Sequence, residues 1–353
     1  MKLRGIFLGM IVLGLCLCLC AAKEAEEKNT ANEEEQEGAG DEISEETKEK
    51  NYIKWVDFDV SSSALKEAAR LDIESHESEM PVKWTELLAL YAAKSGGSFG
   101  KYKDGALETV LNEAKEKSVS VESAGNSLAN AKTYRYYKEA YEAVLGGMLG
   151  EYEVDIQNED GTVTTEKKYG IKAFSPIAKG YYYNDFDDFG ASRSYGYKRK
   201  HLGHDMMGSV GTPIIAMESG YVEVAGWNQY GGWRIGIRSF DGKRYYYYAH
   251  LRKDHPFCDM YEGKLVTAGE VIGYLGMTGY SSKENVNNIN IPHLHVGMEL
   301  IFSPEQKDGY CQIWINMYEL TQFLSSYRSA VVKDAESGDY MAVSPIRDLT
   351  VPD

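Results

Sequence analysis

Residues 235–250 read IGIRSFDGKRYYYYAH. Ile235 and Ile237 alternate with Gly236 and Arg238, Asp241-Gly242 offers a tight turn, and Tyr245 to His250 run back. That is the pattern of a β-hairpin whose side chains point alternately to two faces. The same period of two appears on either side of it. Tyr152, Val154 and Ile156 alternate with polar residues before the turn signal Asp160-Gly161. Strand-like runs follow at Pro213 to Ala216, Tyr221 to Ala225, Glu270 to Leu275 and His293 to Leu300. Everything after residue 150 therefore reads as mainly antiparallel β structure, closed by a short helix near Met317 to Leu324 and a polar tail over 329–353.

Before residue 150 the period is that of a helix. Trp84, Leu87, Leu88 and Tyr91 follow the i, i+3, i+4, i+7 spacing between Pro81 and Gly96-Gly97. Asp104 is placed to cap a second helix carrying Leu107, Val110, Leu111 and Ala114, and a third presents Tyr137, Tyr141, Val144 and Met148. Such stripes form a bundle core. The expected organisation is α+β and multidomain: a helical accessory domain at 51–150, a connecting β-hairpin at 151–170 and a β domain at 171–328.

The 353 residues carry 38 Lys+Arg against 54 Asp+Glu, a net charge of −16 that disfavours a grip on nucleic acid. Half of this charge lies in residues 23–50, with four Lys, twelve Asp or Glu and Ile43 as its one large aliphatic side chain. That composition cannot bury enough apolar surface to offset ordering, so the stretch reads as an acidic linker averaging about 30 Å end to end. Lys2 and Arg4 precede an apolar run to Ala22, which marks 1–22 as a signal peptide or membrane anchor. Cys16, Cys18 and Cys20 lie within it, leaving Cys258 and Cys311 downstream, too few for a disulfide framework. An extracytoplasmic location follows, secreted or tethered to the membrane.

Six of the seven histidines fall between 201 and 295. In an extended His201-Leu202-Gly203-His204-Asp205, residues 201 and 205 share a face and can converge on one ion, while His204 points away. In His293-Leu294-His295 two histidines again share a face; one can bind a metal and the other can reach a water. Two nitrogens and a carboxylate with an open fourth position are the pattern of a catalytic zinc. His250 ends the hairpin strand, placed to orient water or an oxyanion. His255, beside Pro256, reads as a loop residue.

These residues carry a resemblance. Asp188-Phe189-Gly190, Arg193, His201 with Asp205, Gly211-Thr212-Pro213, Tyr248-Ala249-His250-Leu251, Gly263, Val266, Gly269, Gly276, Thr278-Gly279 and Pro292-His293-Leu294-His295 resemble the lysostaphin-like (LytM-type) zinc metallopeptidases. The match runs from about 170 to 302. It implies a β fold of the duplicated hybrid motif type, one zinc per chain, and hydrolysis of peptide bonds in peptidoglycan stem peptides or cross-bridges. It makes His201, Asp205 and His295 the zinc ligands, His293 the catalytic histidine and His250 its partner. Tyr195, six residues before His201, would stabilise the tetrahedral intermediate. Two stretches depart from the family pattern by their length, Tyr280 to Ile291 and Arg252 to Tyr261, and both are expected to border the groove. A catalytically silent scaffold or activator of the cell envelope is the competing reading; such domains usually lack a ligand, and this one has all three. Because every ligand lies in 170–330, that stretch is expected to fold and bind zinc without the helical region.

Overall fold

In the first half of the chain the apolar stripes become helices where local chemistry lets them start and stop. The computed structural model describes residues 53–352 apart from residues 196, 308 and 310, so the expected targeting segment and acidic linker lie outside the described residues. The helices are α1 (Ser62–Ser75), α2 (Trp84–Ser95), α3 (Ala106–Glu116), α4 (Val121–Asn126) and α5 (Ala131–Leu145). Ser61 caps α1 by accepting from the Ala64 amide, and α2 ends on Gly96 in the left-handed region. At α3 the structure corrects the expected cap. Asp104 does not cap; the carboxylate of Glu67, on α1, accepts from the Gly105 and Glu108 amides, each at 2.9 Å. None of the described helices is long and apolar enough to cross a membrane.

The strands follow as β1 (Leu149–Gln157), β2 (Val163–Ile171), β3 (Tyr183–Asn184), β4 (Ser192–Tyr195), β5 (Tyr197–Lys200), β6 (His204–Gly208), β7 (Pro213–Ile215), β8 (Gly220–Asn228), β9 (Gly232–Ser239), β10 (Arg244–Ala249), β11 (Leu265–Val266), β12 (Val271–Tyr274) and β13 (His293–Leu300). After β13 come α6 (Pro304–Lys307), β14 (Ile313–Ile315), α7 (Tyr318–Leu324), β15 (Val331–Lys333), β16 (Tyr340–Ala342) and β17 (Ile346–Asp348). The main sheet has eight strands in the order β11-β8-β9-β10-β13-β6-β3, with β14 also pairing β13. All its pairings are antiparallel.

Alternation gives this sheet two distinct faces. Ile235, Ile237, Tyr246, Tyr248, Leu294, Val296 and Met298 point into the core, each at most 1 % exposed. The opposite face carries Asp205, His293, His295, Glu299, Tyr245, Tyr247 and Arg234, all lining one groove.

The helices are not a separate bundle. One hydrophobic core runs from Leu65, Leu88 and Val144 through Ile214 and Tyr246 to Phe323, and residues 51–353 form one compact unit. At the junction lies Arg244, 1 % exposed. Its Nη1 donates to the Ala143 carbonyl at 2.8 Å, one of the last carbonyls of α5, and its Nε and Nη2 donate to Glu218 at 2.7 and 2.9 Å. Part of the core of 170–330 and one of its buried charges are thus completed by the helices. The stretch 329–353, expected as a polar tail, is also part of the fold. In it β15 pairs β16, β17 adds to the β1–β2 hairpin, and buried Lys172 binds Asp348 at 2.6 Å. Cys258 is buried, Cys311 is exposed, and both are free.

Candidate metal centre and active site

The site is assembled where β6 and β13 pair. The register sets Asp205 directly opposite His295 on the groove face. His201 arrives differently from the sequence expectation: β6 begins only at His204, and a bend at Gly203 turns the chain so that His201 falls back onto Asp205. Glycine is required there, since a Cβ on Gly203 would lie 2.5 Å from the His295 ring and 2.8 Å from the Val296 carbonyl.

The three side chains present one atom each to a common point. His201 Nε2 lies 3.0 Å from Asp205 Oδ1 and 2.9 Å from His295 Nδ1, and His295 Nδ1 lies 3.0 Å from Asp205 Oδ1. This His-His-Asp cluster is the group among the described residues with the spacing to hold a metal ion. Nitrogen and carboxylate donors in a set of three suit zinc with a position left open.

A second layer holds the cluster in place. His201 Nδ1 faces Asp188, 3.1 Å from its carboxylate and 3.2 Å from its carbonyl. Arg193 Nη2 donates to Asp188 at 2.6 Å and to Asp205 at 3.0 Å, tying the two acids together. Burial alone would lower the His201 pKa, but the two carboxylates outweigh it and raise it to about 9. Burial likewise opposes ionisation of Asp205, yet hydrogen bonds from His201 and His295 hold its carboxyl well below the usual range. The pocket therefore stabilises positive charge between its acids, which is what a cation site needs. The sequence motif contained Asp188 and Arg193, but nothing in their spacing announced this bridging role.

His293 and His250 stand beside the cluster, their rings 4.8 Å apart. His293 Nδ1 donates to the Ile291 carbonyl at 2.7 Å, and its Nε2 lies 3.7 Å from Asp205. His250 Nδ1 donates to the Thr278 carbonyl at 2.8 Å. With Nδ1 donating in both rings, the neutral form of each leaves Nε2 as an acceptor. Burial, then the neighbouring histidines, lower the His250 pKa to about 3, so the ring is neutral. His204 turns away to Asp185 at 2.9 Å, as the alternation expected. His255 is a loop residue bonded to Asp339. Tyr195 ends β4, two residues beyond Arg193; its side chain lies outside what the structure describes.

The groove over this floor holds about 420 Å³. Tyr230, Tyr280, Tyr247 and Trp314 supply aromatic walls. Of the two long loops, 280–291 reaches the groove through Tyr280, whose ring is 5.7 Å from His250. The 252–261 loop does not line it but braces the first, Asn285 donating to Asp254 at 2.7 Å.

Residues 199–308 match the profile of peptidase family M23. An L-Ala–D-Glu endopeptidase of Bacillus subtilis is 39% identical over 124 residues, 35% of this chain and 36% of that protein. Lysostaphin of Staphylococcus simulans is 40% identical over 96 residues, 27% of this chain and 17% of that protein. Its catalytic domain, as a solved structure, is 30% identical with a TM-score of 0.30, covering 40% of this chain and 92% of that one. The chain thus spans about a third or less of the length of these curated relatives. Residues 199–308 therefore form a peptidase family M23 domain, similar to those of the lysostaphin-like, LytM-type endopeptidases.

Proposed function

We propose that the protein is an exported zinc metalloendopeptidase that hydrolyses peptide bonds of bacterial peptidoglycan. The observation that carries this reading is the convergence of His201, Asp205 and His295 within about 3 Å on a groove floor, with the imidazoles of His293 and His250 alongside. The L-Ala–D-Glu endopeptidase of Bacillus subtilis, and a glycyl-glycine endopeptidase of Staphylococcus capitis that is 40% identical over 96 residues, support a peptide of the cell wall as substrate. The reading includes a single zinc per chain and the duplicated-hybrid-motif assignment of the β region.

Zinc held by this donor set would supply a water acidic near neutral pH and a Lewis acid for the scissile carbonyl. The chain's own groups do the rest. His293 Nε2 accepts the proton of the attacking water and later returns it to the leaving nitrogen. His250, fixed by Thr278, accepts a hydrogen bond from the water or the substrate amide and orients it. Tyr195 is assigned to the oxyanion. Asp188 and Arg193 fix His201 and Asp205, the role outer groups play around metal ligands.

The decisive experiment digests purified peptidoglycan with zinc-loaded protein and identifies the new amino and carboxyl termini by mass spectrometry. New peptide termini, lost on chelation and restored by zinc, support the proposal. Zinc at one per chain without any new terminus would favour the silent-scaffold reading.

A further inference from the structure

The groove has a charge that the rest of the chain does not foreshadow. The protein carries −16 overall, yet Arg193, Arg199, Lys200 and Arg234 line the groove against two carboxylates, Asp205 and Glu299. Three of these cations have roles or are at the rim. Arg193 is held between Asp188 and Asp205. Arg199 stacks over the rings of Tyr230 and Tyr280, 5.3 Å from each. Lys200 is exposed.

Arg234 is different. It lies on the groove face of β9, half-buried, and its buried Nε has no hydrogen-bond partner. The register gives its position. Ile235 pairs with Tyr248, so Arg234 is level with Ala249, which pairs with His295. Two strand spacings, about 10 Å, separate it from His295. That is the span of about three extended residues, and the arginine side chain itself covers part of it. A buried guanidinium N–H without an acceptor is costly, and a carboxylate is the acceptor its planar fork fits best.

We propose that Arg234 is a specificity residue of this groove, selecting a peptide with a free carboxylate on a residue beside the cleaved bond. The proposal rests on the endopeptidase reading above and narrows it: the substrate is an acidic peptide and not a neutral glycine bridge. The carboxylate can belong to a side chain or to a chain terminus, and the groove chemistry is the same for both.

The test uses three synthetic peptides of one sequence with the carboxylate on a side chain, at the C-terminus, or converted to the amide at both, together with pentaglycine. The zinc-loaded protein is expected to cleave a free-carboxylate peptide about 10- to 100-fold more efficiently than the amide, the range of a charge-assisted hydrogen bond. Whichever carboxylate peptide is preferred identifies the source. Arg234→Gln should shrink that preference to within about threefold, mainly through KM, and Arg234→Lys should restore part of it. The same peptides are titrated into zinc-loaded His293→Ala, with and without Arg234→Gln, following Trp fluorescence, so that binding is read without turnover. Equal cleavage of acid and amide, preference for pentaglycine, or an unchanged preference in Arg234→Gln overturns the proposal. If no peptide is cleaved but binding still distinguishes acid from amide through Arg234, the endopeptidase reading fails and the subsite stands.

Discussion

His250 sits at φ +62°, a left-handed conformation that costs a non-glycine residue roughly 1–3 kcal/mol. The strain is held in place by the Thr278 carbonyl, and Gly279 makes room, since a Cβ there would lie 3.0 Å from His250 Nδ1. Residues so placed are aimed, and their removal should read out as chemistry. His293→Ala and His250→Ala are expected to keep zinc while losing activity by about 10²- to 10⁴-fold. His295→Ala should lose both, as one of three ligands is gone. Metal content measured beside turnover decides; if His293→Ala loses zinc and His295→Ala keeps it, ligand and base are reversed. Asp188→Asn should weaken metal affinity by about 10- to 100-fold through His201. Glu299 gives a stability test. Burial raises its pKa to about 7, against the pull of Arg238. Its folded pKa lies above the unfolded value near 4.3, so the folded state binds more protons between the two. Stability should therefore fall as pH rises from about 5 through 7, and Glu299→Gln should flatten the fall, by about 1–3 kcal/mol at pH 8. Urea unfolding of both proteins at pH 5 and 8 checks this, and parallel profiles would refute it.

The N-terminus of α3 shows how an element is started by a residue far away in sequence. Glu67 accepts from the Gly105 and Glu108 amides and from the Tyr102 hydroxyl. Glu67→Ala should cost about 1–3 kcal/mol by leaving these donors unpaired, with Glu67→Gln recovering part. Urea denaturation gives the number; no loss in the alanine variant would mean water replaces the cap. The same case marks the limit of reading elements locally. The hairpin of β9 and β10, the strand His293–Leu300 and helix α2 were legible because alternation, a turn pair or a glycine stop lay in one short window. Helix α1 was not singled out, for its buried face is largely alanine: Ala64, Ala68 and Ala69 beside Leu65 and Leu71. Strands β15, β16 and β17 have three residues each, too few for alternation to show. His201 meeting Asp205 was legible in outcome but not in means, because a bend at Gly203 does what an extended strand was expected to do.

Across the whole molecule, the helices and the sheet are joined through a buried charge. Arg244 spans the Ala143 carbonyl on α5 and the carboxylate of Glu218, which also accepts from the Tyr246 hydroxyl at 2.6 Å. Arg244→Met should cost about 3–5 kcal/mol, because Glu218 would remain buried without its partner. Helical and sheet signals should be lost in one transition on heating, followed by far-ultraviolet circular dichroism and tryptophan fluorescence. A chain lacking residues 53–148 should fail to reach the native β signal; a soluble, fully folded fragment would refute the shared core. Such organisation was illegible in the sequence, where the change of period near residue 150 suggests a boundary and the contacts that cross it leave no periodic trace. Arg244 also opens β10, and the residue that follows the far end of this strand is His250. Six residues, about 20 Å, thus separate the anchor on the helices from the histidine in the groove. Inserting or deleting one residue between them would turn the rest of the strand over, exchanging Tyr245 and Tyr247 for Tyr246 and Tyr248 on the groove face. Lengthening the 280–291 loop would reshape what the groove admits, but the count of residues between Arg244 and His250 has to be kept for the histidine to reach the groove.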